Sequence, residues 1–329
     1  MKTLVIGDPS GSHSARLIEK KNICPENLIV WEDNEAHKFR IRCVDSRITI
    51  IDKIENIKHM KFTRIIGNPP YQAGTKSSGN TLWDKFVAQC LEMLEDGGTL
   101  SFITPPRWRQ AEDSLQYIYK DYQLVSVEMH TAKDGKSTFN AYTPYDVYVI
   151  KKVKPTQLTK VTFVDGTTEY IDVTQLPFIP NSHFNFWSRC FNDNSEKVEF
   201  LWGYSHDPRL SHMSKSETAT HCYPITHNFT EDSLTFMYSS KQHEYQHHPK
   251  VLLRDQGNPK PVYDNGKYGC GRHTIFVPVE NEQEGQEIID FLNSQEFQSI
   301  RSSVTFGQRQ FSPKPFNYIP LSYVKNVKK

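Results

Sequence analysis

Over its first 155 residues the chain repeats one pattern, in which short apolar runs alternate with turns and stretches of helical spacing. Apolar runs at residues 2–6, 27–31, 47–51, 62–66, 99–104, 123–129 and 145–151 read as seven strands. Residues 14–21 and 81–94 read as helices, the second with Leu82, Phe86 and Cys90 on one face. Strands alternating with helices predict an α/β unit whose parallel sheet is covered on both faces. Ligands of such sheets sit at the carboxyl ends of the strands. The polar and glycine-rich turns of this chain fall at those ends.

The most unusual of these turns is Gly67-Asn68-Pro69-Pro70-Tyr71-Gln72, directly after the fourth strand. Two consecutive prolines fix φ and remove two N–H donors. Each residue before a proline is pushed into extended backbone. The Asn68 side-chain oxygen and the Pro69 carbonyl can then both face outward as acceptors, and two acceptors can grip the two hydrogens of one exocyclic NH2 group. Tyr71 offers a flat face for stacking a heterocycle. An aromatic amine is a poor nucleophile because its lone pair is delocalised into the ring. Holding its N–H bonds draws the nitrogen toward a tetrahedral form that can attack a sulfonium methyl placed in line, a task of orientation and electrostatics.

This segment resembles motif IV of the amino-group DNA methyltransferases, and among them the adenine-N6 enzymes of the Eco57I-type restriction-modification methylase family. Phe102-Ile103-Thr104-Pro105-Pro106-Arg107-Trp108 is similar to that family's next strand and turn, and Ser78 to Phe86 to its loop and helix. The similarity is strongest over residues 60–150. It implies a Rossmann-like doubly wound methyltransferase sheet at residues 1–155, followed by a second, mixed α+β domain at 156–329 for target recognition. It also implies S-adenosyl-L-methionine as cofactor and double-stranded DNA with a flipped base as partner. Asn68, Pro69, Pro70 and Tyr71 are then the expected catalytic residues. Phe139 is the first choice and Tyr142 the second for packing against the flipped base, and Trp108 joins the substrate group. The implied setting is the cytoplasm of a prokaryote, or the corresponding compartment of a virus.

The cofactor residues follow from strand ends. Gly7-Asp8-Pro9-Ser10-Gly11 after the first strand is similar to a shortened form of the family's first motif. Gly7 and Gly11 allow close backbone approach, and the following helix N-terminus favours a carboxylate. Glu32 or Asp33, with Glu32 preferred, is placed to address a ribose diol, and Asp52 at the end of the third strand matches the position that the resemblance assigns to the donor's adenine amine. Only six residues precede Gly7. The resembling proteins carry a segment there that closes over the methionine end of the donor, so the second domain, a partner chain or a dimer is expected to complete the site.

Residues 156–329 lack the alternation. Runs at 159–164 and 168–173 suggest a hairpin, 250–254, 262–263 and 274–279 strands, and 282–293 a helix. Net charge is only +1, yet no acidic residue follows Glu296 while Arg301, Arg309 and Lys314 do. Arg254, Arg272, Arg301 and Arg309 are candidate DNA contacts, with Lys260, Lys267, His273, Gln308 and Gln310, because arginine suits guanine and glutamine adenine. Six scattered cysteines form no C-x-x-C pair, and His243, His247 and His248 lack a completing ligand pattern, so no metal is expected. No run is long and apolar enough to cross a bilayer. No nuclease signature of the PD-x(n)-ExK kind is evident. RNA or cytosine-N4 methylation, glutamine-N5 protein methylation, and a catalytically inactive methylase-like DNA-binding protein remain open alternatives.

Overall fold

The computed structural model describes residues 2–71, 82–203, 205–229, 234–255, 260–307 and 311–326. The chain divides into two compact units: Met1–Arg109 with Asp113–Ile179, and Gln110–Glu112 with Pro180–Lys329. The first unit therefore runs past residue 155, where the sequence changes character. The hairpin expected after that point adds to the edge of the first sheet instead of opening the second unit.

The first unit is a Rossmann-like α/β sheet. Its elements are β1 (Thr3–Ile6), α1 (Ser12–Lys21), β2 (Leu28–Trp31), α2 (Glu35–Val44), β3 (Thr49–Ile51), β4 (Phe62–Gly67), α3 (Trp83–Met93), β5 (Leu94–Thr104), α4 (Tyr117–Lys120), β6 (Gln123–His130), α5 (Ala132–Phe139), β7 (Tyr145–Lys151), β8 (Thr159–Thr162) and β9 (Thr168–Ile171). The strand order is β3-β2-β1-β4-β5-β7-β6-β8-β9. Strand β7 inserts between β5 and β6 and runs antiparallel to both. The sheet is thus mixed, where the alternating pattern led to a parallel one. Strands β1 to β6 still point the same way, so their carboxyl ends share one edge. The order reverses between β1 and β4, which makes that junction the switch point where such sheets bind ligands.

Burial explains the apolar strands. Leu4, Val5 and Ile6 of β1 are fully buried, as expected of a strand covered on both faces. Val5, Leu28 and Val30 form a core with Leu17 of α1 and Ile41 of α2. Helix α2 starts where the Asn34 side chain accepts from the amides of Ala36 and His37. Helix α5 occupies residues read from sequence as a loop. Thr131 and Asp134 form a capping box at its start, and Asn140 ends it in the left-handed conformation.

The second unit is mixed α+β, with α6 (Phe184–Asn192), β10 (Leu201–Trp202), β11 (Met213–Ser214), β12 (Tyr223–Phe229), β13 (Leu234–Ser239), β14 (Lys250–Arg254), β15 (Val262–Asp264), β16 (Thr274–Pro278), α7 (Glu282–Asn293), α8 (Gln295–Ser303) and α9 (Leu321–Lys325). Two antiparallel sheets form, ordered β10-β16-β14-β15 and β11-β13-β12. Trp187, Phe291, Phe297 and Phe316 build an aromatic core beside α7 and α8. Lys250 is fully buried, pairs with Asp264 at 2.7 Å, and donates to the carbonyls of Tyr245 and His248.

Candidate active site

At the switch point, β1 and β4 end side by side. The Asn68 amide continues the ladder by donating to the Ile6 carbonyl at 3.1 Å. Gly67 has no room for a side chain, since a Cβ there would lie 2.6 Å from Ile6. Gly7 turns away with φ +71°, a conformation natural to glycine. The Pro69 ring is buried, Pro70 is exposed, and Gln72 lies outside the described residues.

The loop holds one conspicuous polar atom. Asn68 Oδ1 is buried, and it has no hydrogen-bond partner among the described residues. Leaving such an acceptor unpaired costs about 1–3 kcal/mol. Beside it, the Tyr71 hydroxyl reaches the Ile103 carbonyl of β5 at 3.5 Å, and burial pushes its phenol pKa up.

The acids at the first three strand ends meet protein partners. Asp8 is fully buried, and its carboxylate accepts from the amides of His13 and Ser14 and from the Ser14 hydroxyl. The anion expected at the N-terminus of α1 is therefore supplied by Asp8 itself. Gly11 is needed for packing: a Cβ would stand 2.9 Å from Val44 Cγ2 on α2. Glu32 is nearly buried and accepts from the Asn34 amide, with His37 Nδ1 at 3.2 Å from the same oxygen. Asp33 is exposed. Asp52 pairs with Lys38, which also holds Glu35 at 2.7 Å. These carboxylates raise the Lys38 pKa, Asp52 contributing most. His37 and Lys38 were missed in sequence, although Asn34, a good helix cap, directly follows the two acids.

Phe139 and Tyr142 both come out partly or largely exposed. Phe139 packs edge-on against Tyr145, with centroids 4.9 Å apart, and His130 stacks on the same ring at 4.3 Å. Lys136 lies over Tyr142 at 5.6 Å. Trp108 requires a correction. It is fully buried between Tyr119 and Tyr148, so no substrate ring can reach its face, and its bulk fills the core.

Residues 12–133 match the model of the Eco57I restriction-modification methylase family. This match includes α1, the acids that follow β2 and β3 (Glu32, Asp33 and Asp52) and the Asn-Pro-Pro-Tyr turn, and it agrees with the resemblance carried by the motifs. Comparison with curated proteins returned no match. Among solved structures, the type IIG restriction endonuclease BpuSI is similar at 12% identity and TM-score 0.43, over 99% of this chain and 58% of that one. The type I restriction-modification methyltransferase subunit from Streptococcus thermophilus gives 13% identity and TM-score 0.37, over 60% and 49%. TrmN from Thermus thermophilus gives 17% and 0.34, over 46% and 44%. The matched region spans about half the length of the first solved chains, 46% and 48%.

In the second unit the candidate contacts differ in availability. Arg272 is held by Asp207 at 2.7 Å, and Asp207 also binds Arg209. Arg301 lies over the Phe311 ring at 5.3 Å, and burial lowers its pKa. Arg254 is half-buried at the end of β14. Arg309, Gln308 and Gln310 lie outside the described residues. His273 Nδ1 is 3.1 Å from Asp255. Among the described residues no cluster of three or more His, Cys, Asp or Glu could hold a metal ion, and no helix is long and apolar enough to cross a membrane.

Proposed function

We propose that the chain transfers a methyl group from S-adenosylmethionine to the N6 amine of an adenine turned out of a DNA duplex. The observation that carries this reading is the buried Asn68 Oδ1 at the end of β4, which has no hydrogen-bond partner among the described residues. A donor arriving with the substrate would satisfy it.

The residues at the strand ends fit the cofactor. Gly7 keeps the β1 turn free of a side chain beside Asn68. Glu32, oriented by Asn34 and His37, would hold the ribose hydroxyls, and Asp33 and Asp52 would border the nucleoside. Asp8 would shape the turn from within. Bound there, S-adenosylmethionine supplies an electrophilic methyl carbon. Asn68 Oδ1 and the Pro69 carbonyl accept the two amine hydrogens and localise the nitrogen lone pair. Tyr71 stacks on the base, and Phe139 supports it from the α5 side. Neither acceptor is basic enough to keep the surplus proton, which leaves to water. Extrusion of the base is required because the amine is out of reach inside a duplex.

Target recognition is assigned to the second unit, with Arg254, Arg301 and Arg309 as contacts to bases or phosphates. Arg272 would contribute once released from Asp207.

Nucleoside mass spectrometry on DNA from cells expressing the chain tests the proposal, beside an Asn68→Ala control. N6-methyladenine is expected only with the intact chain. N4-methylcytosine, or a modified base found only in RNA, would replace the substrate assignment. Equal modification by Asn68→Ala would overturn the catalytic one. No modification, with S-adenosylmethionine failing to bind in calorimetry, would favour an inactive methylase-like DNA-binding protein.

A further inference from the structure

Arg109 and Asp146 form a buried pair in the first unit, with side chains 1% and 0% exposed. The fork is bidentate: Nε to Oδ2 at 2.7 Å and Nη2 to Oδ1 at 2.9 Å. Arg109 Nη1 donates to the Ile179 carbonyl at 2.7 Å, and the Arg109 carbonyl accepts from the Ile179 amide at 3.1 Å. Burying two charges is expensive, and well-packed apolar residues of similar volume often give equal or greater stability. Stability alone therefore does not account for this pair.

Its position suggests what does. Asp146 lies in register with Thr104, the last residue of β5. The Tyr71 hydroxyl rests on Ile103, one residue earlier. Tyr145, the neighbour of Asp146, carries Phe139 on its ring. The two aromatic faces assigned to the base, Tyr71 and Phe139, are thus supported by adjacent residues at the β5 and β7 ends. Arg109 ties that level of the sheet to the turn that leaves β5.

We propose that Arg109 and Asp146 are positioning residues whose forked pair sets the spacing between Tyr71 and Phe139. The role rests on the reading of the site given above. The pair touches neither base nor cofactor. It acts through the strand ends, and a misplacement of about 1 Å can cost on the order of 100-fold in rate.

The test compares the intact chain with Arg109→Met/Asp146→Leu and with Arg109→Lys, which keeps the charge and loses the fork. Thermal melting, kcat and KM for methyl transfer, and the ring-carbon NMR signals of Tyr71 (assigned with Tyr71→Phe) are read for each. The expected paired variant melts near the intact chain, with kcat down tenfold or more, KM within about twofold, and a moved Tyr71 signal. Arg109→Lys is expected to lose kcat in the same direction. Unchanged kcat and Tyr71 signal in a folded paired variant would overturn the proposal. Should the paired variant fail to fold, Arg109→Lys decides: wild-type kcat and an unmoved Tyr71 signal overturn it. If the intact chain modifies no nucleic acid, the functional reading fails by itself. The Tyr71 signal then still decides the positioning role, supporting it if moved and overturning it if not.

Discussion

Gly7 and Asn68 face each other across the ends of β1 and β4, and a Cβ on Gly7 would stand 3.3 Å from the Asn68 carbonyl oxygen. Gly7 also has φ +71°. Gly7→Ala therefore meets two penalties, a left-handed backbone costing about 1–2 kcal/mol and pressure on the Asn-Pro-Pro-Tyr turn. A melting temperature several degrees lower is expected, with a larger proportional loss of methyl transfer. Melting curves and initial rates on the same preparation check this; a normal rate would show that the turn tolerates displacement.

Asn68→Ala should separate activity from stability. Removing an acceptor that has no partner among the described residues gives up no hydrogen bond to them and relieves a desolvated group. The melting temperature is expected to hold or rise slightly while methyl transfer falls by at least about 100-fold, the range seen when a group oriented for the transition state is lost. A strongly destabilised variant would mean that Asn68 Oδ1 serves the fold.

Trp108 should behave as core. It is fully buried against Tyr119 and Tyr148. Trp108→Ala is expected to cost about 3–5 kcal/mol, measured by urea unfolding, with Trp108→Phe costing less. A stable Trp108→Ala variant defective only in DNA binding would restore it to the substrate site.

The contrast between Trp108 and Asn68 shows what could be read in advance. Strands were legible because apolar runs and turn residues are local signals, and the Asn-Pro-Pro-Tyr turn because prolines constrain backbone wherever they occur. The antiparallel direction of β7 was not legible, since it lies in pairing between residues such as Thr99 and Lys151. Helix α5 was hidden by Gly135 and its small polar neighbours. That glycine is required because a Cβ would collide with the Thr143 carbonyl at 2.1 Å. The Thr131–Asp134 capping box was the available clue. Asp8 joins the cofactor group through the shortened first motif; that its carboxylate accepts from the His13 and Ser14 amides depends on how the turn folds and is not legible in that motif. Arg109 and Asp146 meet across 37 positions, beyond any local pattern.

Acid should destabilise the second unit. His243 is buried beside His206 and Lys250, and desolvation lowers its pKa from 6.5 to about 4. Its Nδ1 accepts from the Tyr245 amide at 3.1 Å, a bond that protonation would abolish. Burial lowers His206 as well, opposed by its hydrogen bond to the Lys241 carbonyl and aided by the nearby charges of His212 and Lys241. A depressed histidine pKa means that the unfolded chain binds more protons between about pH 4 and 6.5. Stability from this group is therefore complete above that window and declines as pH falls through it. Urea midpoints at pH 7 and 4.5 should differ more for the intact chain than for His243→Asn, whose amide oxygen can still accept from Tyr245. Equal pH dependence would remove His243 as the cause.

Lys250 offers a sharper test of burial. Its ammonium is fully enclosed, paired with Asp264 at 2.7 Å and donating to the carbonyls of Tyr245 and His248. Lys250→Met keeps most of the volume but strands the Asp264 carboxylate, a loss of about 3–5 kcal/mol for breaking one side of a buried pair. Asp264 also accepts from the amides of Lys267 and Tyr268, so Asp264→Asn retains part of its bonding and should cost less. The ordering, with Lys250→Met the worse of the two, is checked by urea unfolding at pH 7. If Lys250→Met instead matches the intact chain, the ammonium has a water path that its enclosure does not suggest, and the interior of the four-stranded sheet is less dry than its packing implies.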